Sequence, residues 1–296
     1  ICDRENEIKS FVPEEYWTIT ADYGDNFNAS LSKYNGEDIR VTTAEEADTI
    51  ENQLNAGKFV VESVKTGKRK PKPYAPFTTS SLQQDASIKL NFQTKKTMQI
   101  AQQLYEGIEV KGIGTRGLIT YLRTDSVRIS SAAKEAASVF ITNKFGKEYS
   151  SNNSFSNKNK DIQDAHEAIR PTDVNLEPEA IRDSLTSDQF KLYTLVWNRF
   201  VASQMAAAEF DTVTVIIDNN GYEFRSSGSR LVFDGWRRVY PIASEKDSYV
   251  PELKKGDELK CIEIVKEQKF TQPPARYTEA GLVKEMEEKN IGRPST

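Results

Sequence analysis

The sequence has few of the residues that build metal and redox sites. It contains two cysteines, Cys2 and Cys261, and one histidine, His166. Two cysteines so far apart cannot form a disulfide framework or a zinc ribbon, and a single histidine cannot supply a histidine-based metal centre. No short acidic motif such as Asp-x-Asp stands beside a predicted strand. A magnesium ion held by carboxylates remains open, whereas histidine-rich metal sites are nearly excluded.

Long apolar runs are also missing from the sequence. No stretch approaches the roughly 18 residues of a membrane span, and no signal peptide opens the chain. We therefore expect a monomeric, cytoplasmic protein with no membrane partner. The first residue is isoleucine rather than methionine, and the chain stops abruptly after "NIGRPST". We interpret both ends as cuts in a longer protein.

An excess of basic residues, which is typical of nucleic-acid-binding proteins, is absent from the chain as a whole. The formal net charge is −4, which argues mildly against a nucleic-acid partner. The charge is unevenly distributed, however. The segment "KTGKRKPKP", residues 65–73, is strongly basic, and residues 111–128 carry four Lys or Arg against one Asp. Net charge therefore does not decide the partner.

The 296 residues suit about two domains. Residues 1–80 and 208–272 have strand-like runs bounded by turn residues, whereas residues 81–207 show helical periodicity. This order predicts an α+β multidomain fold, in which a mainly helical domain is inserted into a discontinuous β-rich domain. Residues 273–296 would begin a further helical domain.

Two predictions concern helices within residues 79–207. Helices at about residues 79–90 and 94–105 are expected to be separated by a break around Asn91. An aromatic stripe on a later helix is expected to be helix-bundle core rather than a ligand site, and its residues are Phe190, Leu192, Tyr193, Val196, Trp197 and Phe200.

The segment "GLITYLRTDS" contains the first candidate site. Residues 118–123 are predicted to form a short strand or extended segment, in which side chains two residues apart share a face. Tyr121 and Arg123 would then point the same way, and an arginine offers a fork of donors to a phosphate. That pair suits a tyrosine that attacks a phosphodiester. From this segment alone, a half-buried tyrosine beside a surface arginine is favoured. Asp125 or Ser126 would cap the next turn or helix.

The segment "QDAHEAIRPTD" contains the second candidate. If residues 163–169 are helical, His166 and Arg170 lie four residues apart on one face. A cationic pair of this kind can bind a phosphate or stabilise a charged transition state. From this segment alone, a capped helix end or an ion pair with Glu167 or Asp173 is the favoured alternative.

A third candidate lies in "PPARYTEAGLVKEMEEKNIGRPST". Thr278 is placed to cap a helix that begins at "TEAG". The final "GRPST" supplies a glycine, an arginine and hydroxyl groups, which are common phosphate contacts. The residues concerned are Arg293, Ser295 and Thr296. Taken alone, this signal is weak.

Together the three segments resemble the type IA DNA topoisomerases, and the bacterial topoisomerase I branch closely. The motifs occur in the family's order at about its spacings, and they extend over nearly the whole chain. They are "FVPEEYW", "PFTTSSLQQDAS", "KKTMQIAQQLYEG", "GLITYLRTDS", "DAHEAIRPTD", "FDGW" and "PPARYTEAGLVKEMEEKNIGRPST". "ITYLRTDS" and "AHEAIRPT" in combination are far more specific than any single short motif.

The resemblance implies a concrete reaction. Tyr121 would attack the backbone of single-stranded DNA, forming a 5′-phosphotyrosine link and releasing a 3′-hydroxyl. A second strand passes through the break, the hydroxyl reseals it, and negative supercoils relax without ATP. Arg123 would position the scissile phosphate and His166 would assist, with Asp125 and Arg170 in support. Contacts to the single strand would come from Arg293, Ser295 and Thr296.

The resemblance also shows what this sequence lacks. The family's Toprim domain, which holds magnesium through acidic residues, has no counterpart here, and neither do the C-terminal zinc ribbons. The resemblance therefore implies a magnesium ion bound outside this chain and no metal ligand within it. We expect the 296 residues, the β-rich arch and the helical insert of the family's toroid, to be inactive alone.

Two other functions remain as alternatives. Tyrosine recombinases and type IB topoisomerases also combine tyrosine with arginine and histidine, but they place the tyrosine late and form a 3′-phosphotyrosine link. In this sequence Tyr121 precedes both His166 and Arg170. The second alternative is a non-catalytic module that binds single-stranded DNA through stacking and basic grooves.

Overall fold

A computed structural model of the chain describes residues 1–156, 166–242, 248–289 and 291. The chain divides into two compact units, and each is assembled from separate stretches of sequence. The first comprises Ile1–Lys70, Glu209–Phe233 and Ala243–Arg276, and the second comprises Pro71–Ala208, Asp234–Ile242 and Tyr277–Thr296. The first change of unit falls after Lys70, ten residues before the position predicted from the sequence.

The described residues form helices and strands that are numbered here in chain order. The α-helices are α1 (Cys2–Ser10), α2 (Ala44–Asn55), α3 (Thr79–Leu90), α4 (Thr94–Glu106), α5 (Ser131–Phe145), α6 (Ser187–Ser203) and α7 (Glu279–Glu288). The strands are β1 (Glu15–Asp22), β2 (Asn28–Tyr34), β3 (Glu37–Asp38), β4 (Phe59–Arg69), β5 (Ile108–Val110), β6 (Gly114–Arg116), β7 (Glu209–Asn219), β8 (Tyr222–Phe233), β9 (Glu258–Leu259) and β10 (Glu263–Phe270). No described helix is both long and apolar enough to cross a membrane.

The first unit is built on an antiparallel sheet with the order β10-β1-β2-β8-β7-β4-β9, and β3 pairs with β2. Alternate residues of the strands face one side, where Ile19, Val61 and Phe224 are buried. Helix α2 covers this core with Ile50 and Leu54, which lie four residues apart on one helix face. The apolar face of the sheet and the apolar face of α2 therefore form one buried core.

The second unit is mainly helical, and its centre is α6. The residues of the predicted aromatic stripe on this helix are buried, apart from the half-buried Phe190. Two of the buried residues satisfy their polar groups inside the core. The Tyr193 hydroxyl donates to the carbonyl of Leu176 at 2.7 Å, and the Trp197 indole N–H donates to that of Val174 at 2.9 Å. The prediction that this stripe is helix-bundle core is confirmed. So is the predicted break between α3 and α4, where Asn91 adopts a left-handed φ of 55°.

Helix α7, which the sequence assigned to a further domain, packs on α3 within the second unit. The Ser80 hydroxyl donates to the Glu287 carboxylate at 2.6 Å. The Glu279 carboxylate accepts from the backbone N–H of Thr94 at 2.6 Å. The side chain of Gln93, the residue before α4, does not cap the helix. Glu279 supplies this N-terminal cap from a distant part of the sequence.

A buried arginine connects α3, α6 and the neighbouring loops of the second unit. The Arg199 guanidinium donates to the carbonyl of Ala75 at 2.6 Å and to the Asp85 carboxylate at 3.2 Å. It also lies over the rings of Tyr74 and Tyr240, and the Tyr240 hydroxyl donates to Asp85. Burial, with the Asp85 charge, raises the pKa of Tyr240. Removing Arg199 would leave the largely buried Asp85 carboxylate with fewer hydrogen-bond donors.

We predict that Arg199→Met lowers the free energy of unfolding by about 3 kcal/mol, because it breaks a partly buried ion pair and leaves Asp85 without the cation that donates to it. Urea unfolding followed by tryptophan fluorescence measures the change, since Trp197 and Trp236 both belong to the second unit. Arg230→Met is the matched control, because Arg230 is exposed beside Asp211 and such pairs contribute about 0–1 kcal/mol. Equal losses in the two variants would contradict the prediction.

Candidate active site

The segment that carries Tyr121 runs between β6 and α5, and a second segment, residues 168–172, lies alongside it. The N–H of Thr120 donates to the carbonyl of Arg170 at 2.9 Å, and the N–H of Thr172 donates to that of Leu118 at 3.0 Å. Ile119 and Pro171 form an isolated β-bridge. The predicted strand is therefore reduced to one bridge in an irregular segment, because no ladder continues on either side of it and the chain bends at Thr120, Leu122 and Arg123.

The N-terminus of α3 holds the same segment from another side. Thr79 is completely buried. Its hydroxyl accepts from the N–H of Thr124 at 2.9 Å and donates to the carbonyl of Leu122 at 2.8 Å. The N–H of Thr79 donates in turn to the carbonyl of Thr124 at 2.9 Å. The backbone on both sides of Arg123 is thereby fixed to the start of a helix.

The C-terminus of α4 supplies a third support. The N–H of Leu118 donates to the carbonyl of Leu104 at 2.7 Å. At Gly117 the two chains approach so closely that a Cβ atom would lie 2.6 Å from the carbonyl oxygen of Tyr105. A residue with a side chain would push the segment away from α4, so glycine is required there.

This anchoring sorts the side chains of the segment into two sets. Leu122 and Thr124 point inward and are 2% and 4% exposed, whereas Tyr121 is 37% exposed and Arg123 is also exposed. The chain bends at Leu122 and Arg123, so the strand spacing that predicted a shared side for the phenol and the guanidinium is not present. Both side chains are nevertheless exposed to solvent. Asp125 is half-buried two residues further along.

His166 comes from a distant part of the sequence and lies against the tyrosine. The centroids of the Tyr121 and His166 rings are 5.0 Å apart, and the ring planes are inclined by 39°. The imidazole is exposed. The structure thus brings together the tyrosine and the histidine that the sequence proposed as one site.

Arg170 is placed differently from the prediction. Residues 166–170 are not helical, and residues 163–165 lie outside the described part of the chain. The N–H of Ala168 donates to the carbonyl of Arg128, and that of Ile169 donates to the carbonyl of Phe77. These bonds hold the segment extended, so the prediction of a shared helix face for His166 and Arg170 is wrong.

The Arg170 side chain is occupied by its own neighbours. Its guanidinium donates to the Glu167 carboxylate from Nε at 2.8 Å and from Nη2 at 2.5 Å, and to the carbonyl of Pro171 from Nη1 at 3.0 Å. The alternative of an ion pair with Glu167 is therefore confirmed. Burial raises the pKa of Glu167, but the hydrogen bonds and charge of Arg170, with hydrogen bonds from Ser130, lower it to a net value below the ordinary range.

The remaining sequence candidates have mixed outcomes. The hydroxyl of Ser126 accepts from the N–H of Arg128 in a local turn, and the cap of α5 is Ser130, so neither Asp125 nor Ser126 caps that helix. Thr278 does cap α7, with its hydroxyl accepting from the N–H of Gly281. The three candidates of "GRPST" lie outside the described residues: Arg293, Ser295 and Thr296.

The structure adds residues that sequence reasoning missed. Thr79 and Thr120 anchor the tyrosine segment, and the ring of Tyr105 packs edge-on against Tyr121 with centroids 5.6 Å apart. A hydroxyl residue at a helix start and an aromatic at a helix end are ordinary features of sequences. All three lie within motifs that carry the family resemblance, but their local spacing does not indicate these contacts, because the contacts join segments that are distant in sequence.

We predict a pH-dependent contribution of Glu167 to stability. Its folded-state pKa is lowered, so the stabilisation is complete above the unfolded-state value of about 4.3 and is lost as the pH falls through the folded-state pKa. Glu167→Gln should cost about 2 kcal/mol near neutral pH, since hydrogen bonds to charged groups contribute on this scale. Thermal melts should show the gap to the unmodified chain narrowing as the pH falls below about 4.

The matched control for this prediction is Glu179→Gln. Glu179 pairs with Arg182, three residues away, but both side chains are largely exposed, and such pairs contribute little. A gap that persists unchanged at low pH in the Glu167 variant would contradict the prediction.

Comparison with known proteins places this chain in a family. A family model described as DNA topoisomerase matches residues 1–296. The solved structure of full-length topoisomerase I from Thermotoga maritima is 41% identical, with a TM-score of 0.86, and the match covers the whole of this chain. It covers 47% of the Thermotoga maritima chain, so the present chain spans about half the length of that relative. The predicted fold class is confirmed, and the chain belongs to the DNA topoisomerase family.

Proposed function

We propose that this chain provides the nucleophile of a type IA DNA topoisomerase, and that the nucleophile is Tyr121. The observation that supports the proposal best is the exposed phenol of Tyr121 in ring contact with His166, and the Arg123 side chain two residues further along is also exposed. A tyrosine of the hydrophobic core would be buried, as Tyr193 is. Here the backbone is buried and the reactive side chain faces solvent.

The chemical step follows from the groups present. The phenolic oxygen attacks the phosphorus of a backbone phosphodiester in single-stranded DNA and forms a phosphotyrosine ester with the 5′-phosphate. The bond from phosphorus to the 3′-oxygen breaks, and that oxygen leaves as a hydroxyl. The phenolic proton is lost and a proton is gained by the leaving oxygen, and His166 is placed to assist this transfer. The reverse attack by the hydroxyl reseals the strand without ATP.

The neighbouring cations have separate roles in this proposal. Arg123 positions the scissile phosphate and stabilises its charge through paired N–H donors. Arg170 supports the site indirectly, because Glu167 and the Pro171 carbonyl already engage its guanidinium. Asp125 remains a supporting residue. The proposed contacts to the bound strand further along the chain are Arg293, Ser295 and Thr296.

The complete cycle is a proposal for the natural protein that carries this chain, because the chain spans 47% of its solved relative. It includes strand passage, relaxation of negatively supercoiled DNA, a monomeric state and a cytoplasmic location. The resemblance implies magnesium, but no group of three or more His, Cys, Asp or Glu side chains among the described residues could hold a metal ion. These residues do not fit a metal site, and no step is assigned to a metal within them.

We predict that Tyr121→Phe abolishes covalent cleavage and leaves DNA binding within about twofold, because only the nucleophilic oxygen is removed and the apolar ring is kept. The natural protein would be incubated with a 3′-end-labelled single strand, and the covalent adduct resolved on a denaturing gel. Fluorescence anisotropy measures the binding. Undiminished adduct formation in the variant would refute the role of Tyr121.

The polarity of the adduct separates the proposed class from its rival. A 5′-phosphotyrosine link leaves the 3′-end label on the protein, whereas the 3′-phosphotyrosine link of recombinases and type IB enzymes would retain a 5′-end label. We expect the 3′-end label alone to travel with the protein. Retention of the 5′-end label would exclude the type IA reaction.

We also predict that the 296 residues alone do not relax a negatively supercoiled plasmid, even with magnesium present. The reason is that the described residues supply the tyrosine and its cations but no group fitted to a metal. Gel electrophoresis of plasmid topoisomers measures relaxation, with full-length Thermotoga maritima topoisomerase I as the positive control. Relaxation by the isolated chain would show that it contains a complete active site.

A further inference from the structure

Tyr105 lies in the last turn of α4, and its side chain is next to Tyr121, the proposed nucleophile. Its ring centroid is 5.6 Å from that of Tyr121, and the planes are inclined by 69° in an edge-to-face arrangement. Both tyrosines are more than one-third exposed, at 39% and 37%. The two rings therefore contact each other at the surface rather than within the core.

Backbone contacts fix the separation of the two segments that carry these rings. The N–H of Leu118 donates to the carbonyl of Leu104, and Gly117 lies directly against the carbonyl of Tyr105. The last turn of α4 and the start of the tyrosine segment are thus joined by hydrogen bonding and close packing. Since the backbones cannot slide past each other, the ring contact is a property of the fold.

An exposed tyrosine without neighbours would sample several side-chain rotamers and point its hydroxyl in several directions. Tyr121 instead has Tyr105 and His166 in ring contact, with centroids at 5.6 Å and 5.0 Å. Edge-to-face and offset aromatic pairs are favourable beyond simple area burial. Contacts that restrict the phenol to one orientation reduce the entropy lost when it attacks.

We propose that Tyr105 is a positioning residue that holds the Tyr121 ring in the orientation needed for attack. The inference rests on the proposed function of Tyr121, and it concerns the ring of Tyr105 rather than its hydroxyl. A phenylalanine at this position therefore keeps the contact, whereas an alanine or leucine loses the edge-to-face geometry. The effect falls on the rate of cleavage, and DNA affinity is unchanged.

The test uses the natural protein that carries this chain, with the variants Tyr105→Phe, Tyr105→Leu and Tyr105→Ala. The rate of covalent adduct formation is measured in a single turnover with saturating labelled single-stranded DNA. Affinity is measured separately by fluorescence anisotropy in a Tyr121→Phe background, where no cleavage interferes. Tyr249→Ala is the matched control, because Tyr249 is 64% exposed and belongs to the first unit.

Tyr105→Ala and Tyr105→Leu should cleave roughly 2- to 10-fold more slowly at saturation, the range expected for an aromatic pair. Tyr105→Phe should cleave at the unmodified rate, and no variant should bind more than about twofold more weakly. Thermal melts identify a variant that fails to fold, in which case the leucine variant replaces the alanine variant, since it keeps most of the side-chain bulk.

Three results would overturn the inference. Equal cleavage rates in all variants would show that the ring has no effect, and a slow Tyr105→Phe would assign the effect to the hydroxyl. Weaker binding with unchanged cleavage at saturation would make Tyr105 a DNA contact instead. Failure of the unmodified protein to form any adduct would refute the proposed function of Tyr121, which is a different outcome.

Discussion

The hydrogen bonding of one irregular backbone segment, residues 117–124, determines the rest of the site. A segment outside helices and sheets must still satisfy its buried N–H and carbonyl groups. Here three neighbouring elements do so: the end of α4, the start of α3 and residues 168–172. Because each anchor acts on the backbone or on an inward side chain, the intervening side chains are left to face outward. An exposed reactive group on a rigid backbone is the result.

The charged residues around the tyrosine segment differ in their surroundings. Arg170 is engaged by Glu167 and a carbonyl, and the carboxylate is in turn held in its charged form. Arg170 therefore stabilises the backbone of its own segment. Arg123, by contrast, is an exposed residue of the tyrosine segment. The two arginines of the sequence motifs therefore lie in different surroundings.

The sequence predicted features that depend on local pattern. The buried stripe of α6, the cap of α7 at Thr278 and the break at Asn91 follow from the spacing of apolar and capping residues. The helix predicted over residues 163–169 is absent from the described part of that range, residues 166–169. Tertiary hydrogen bonds from Ala168 and Ile169 to Arg128 and Phe77 override local propensity there. The contacts of Tyr105 and His166 with Tyr121 join distant segments, and periodicity carries no information about them.

The cap of α4 has a consequence for shortening the chain. A helix of 13 residues is about 20 Å long and behaves as a stiff rod. One end of this rod is closed by Glu279, and the other end carries the carbonyls of Leu104 and Tyr105 that support the tyrosine segment. A truncation before residue 279 would therefore remove this cap and affect the tyrosine segment through the helix. Any shortened version of the chain must therefore keep residue 279 if the support of the tyrosine segment by α4 is to be preserved.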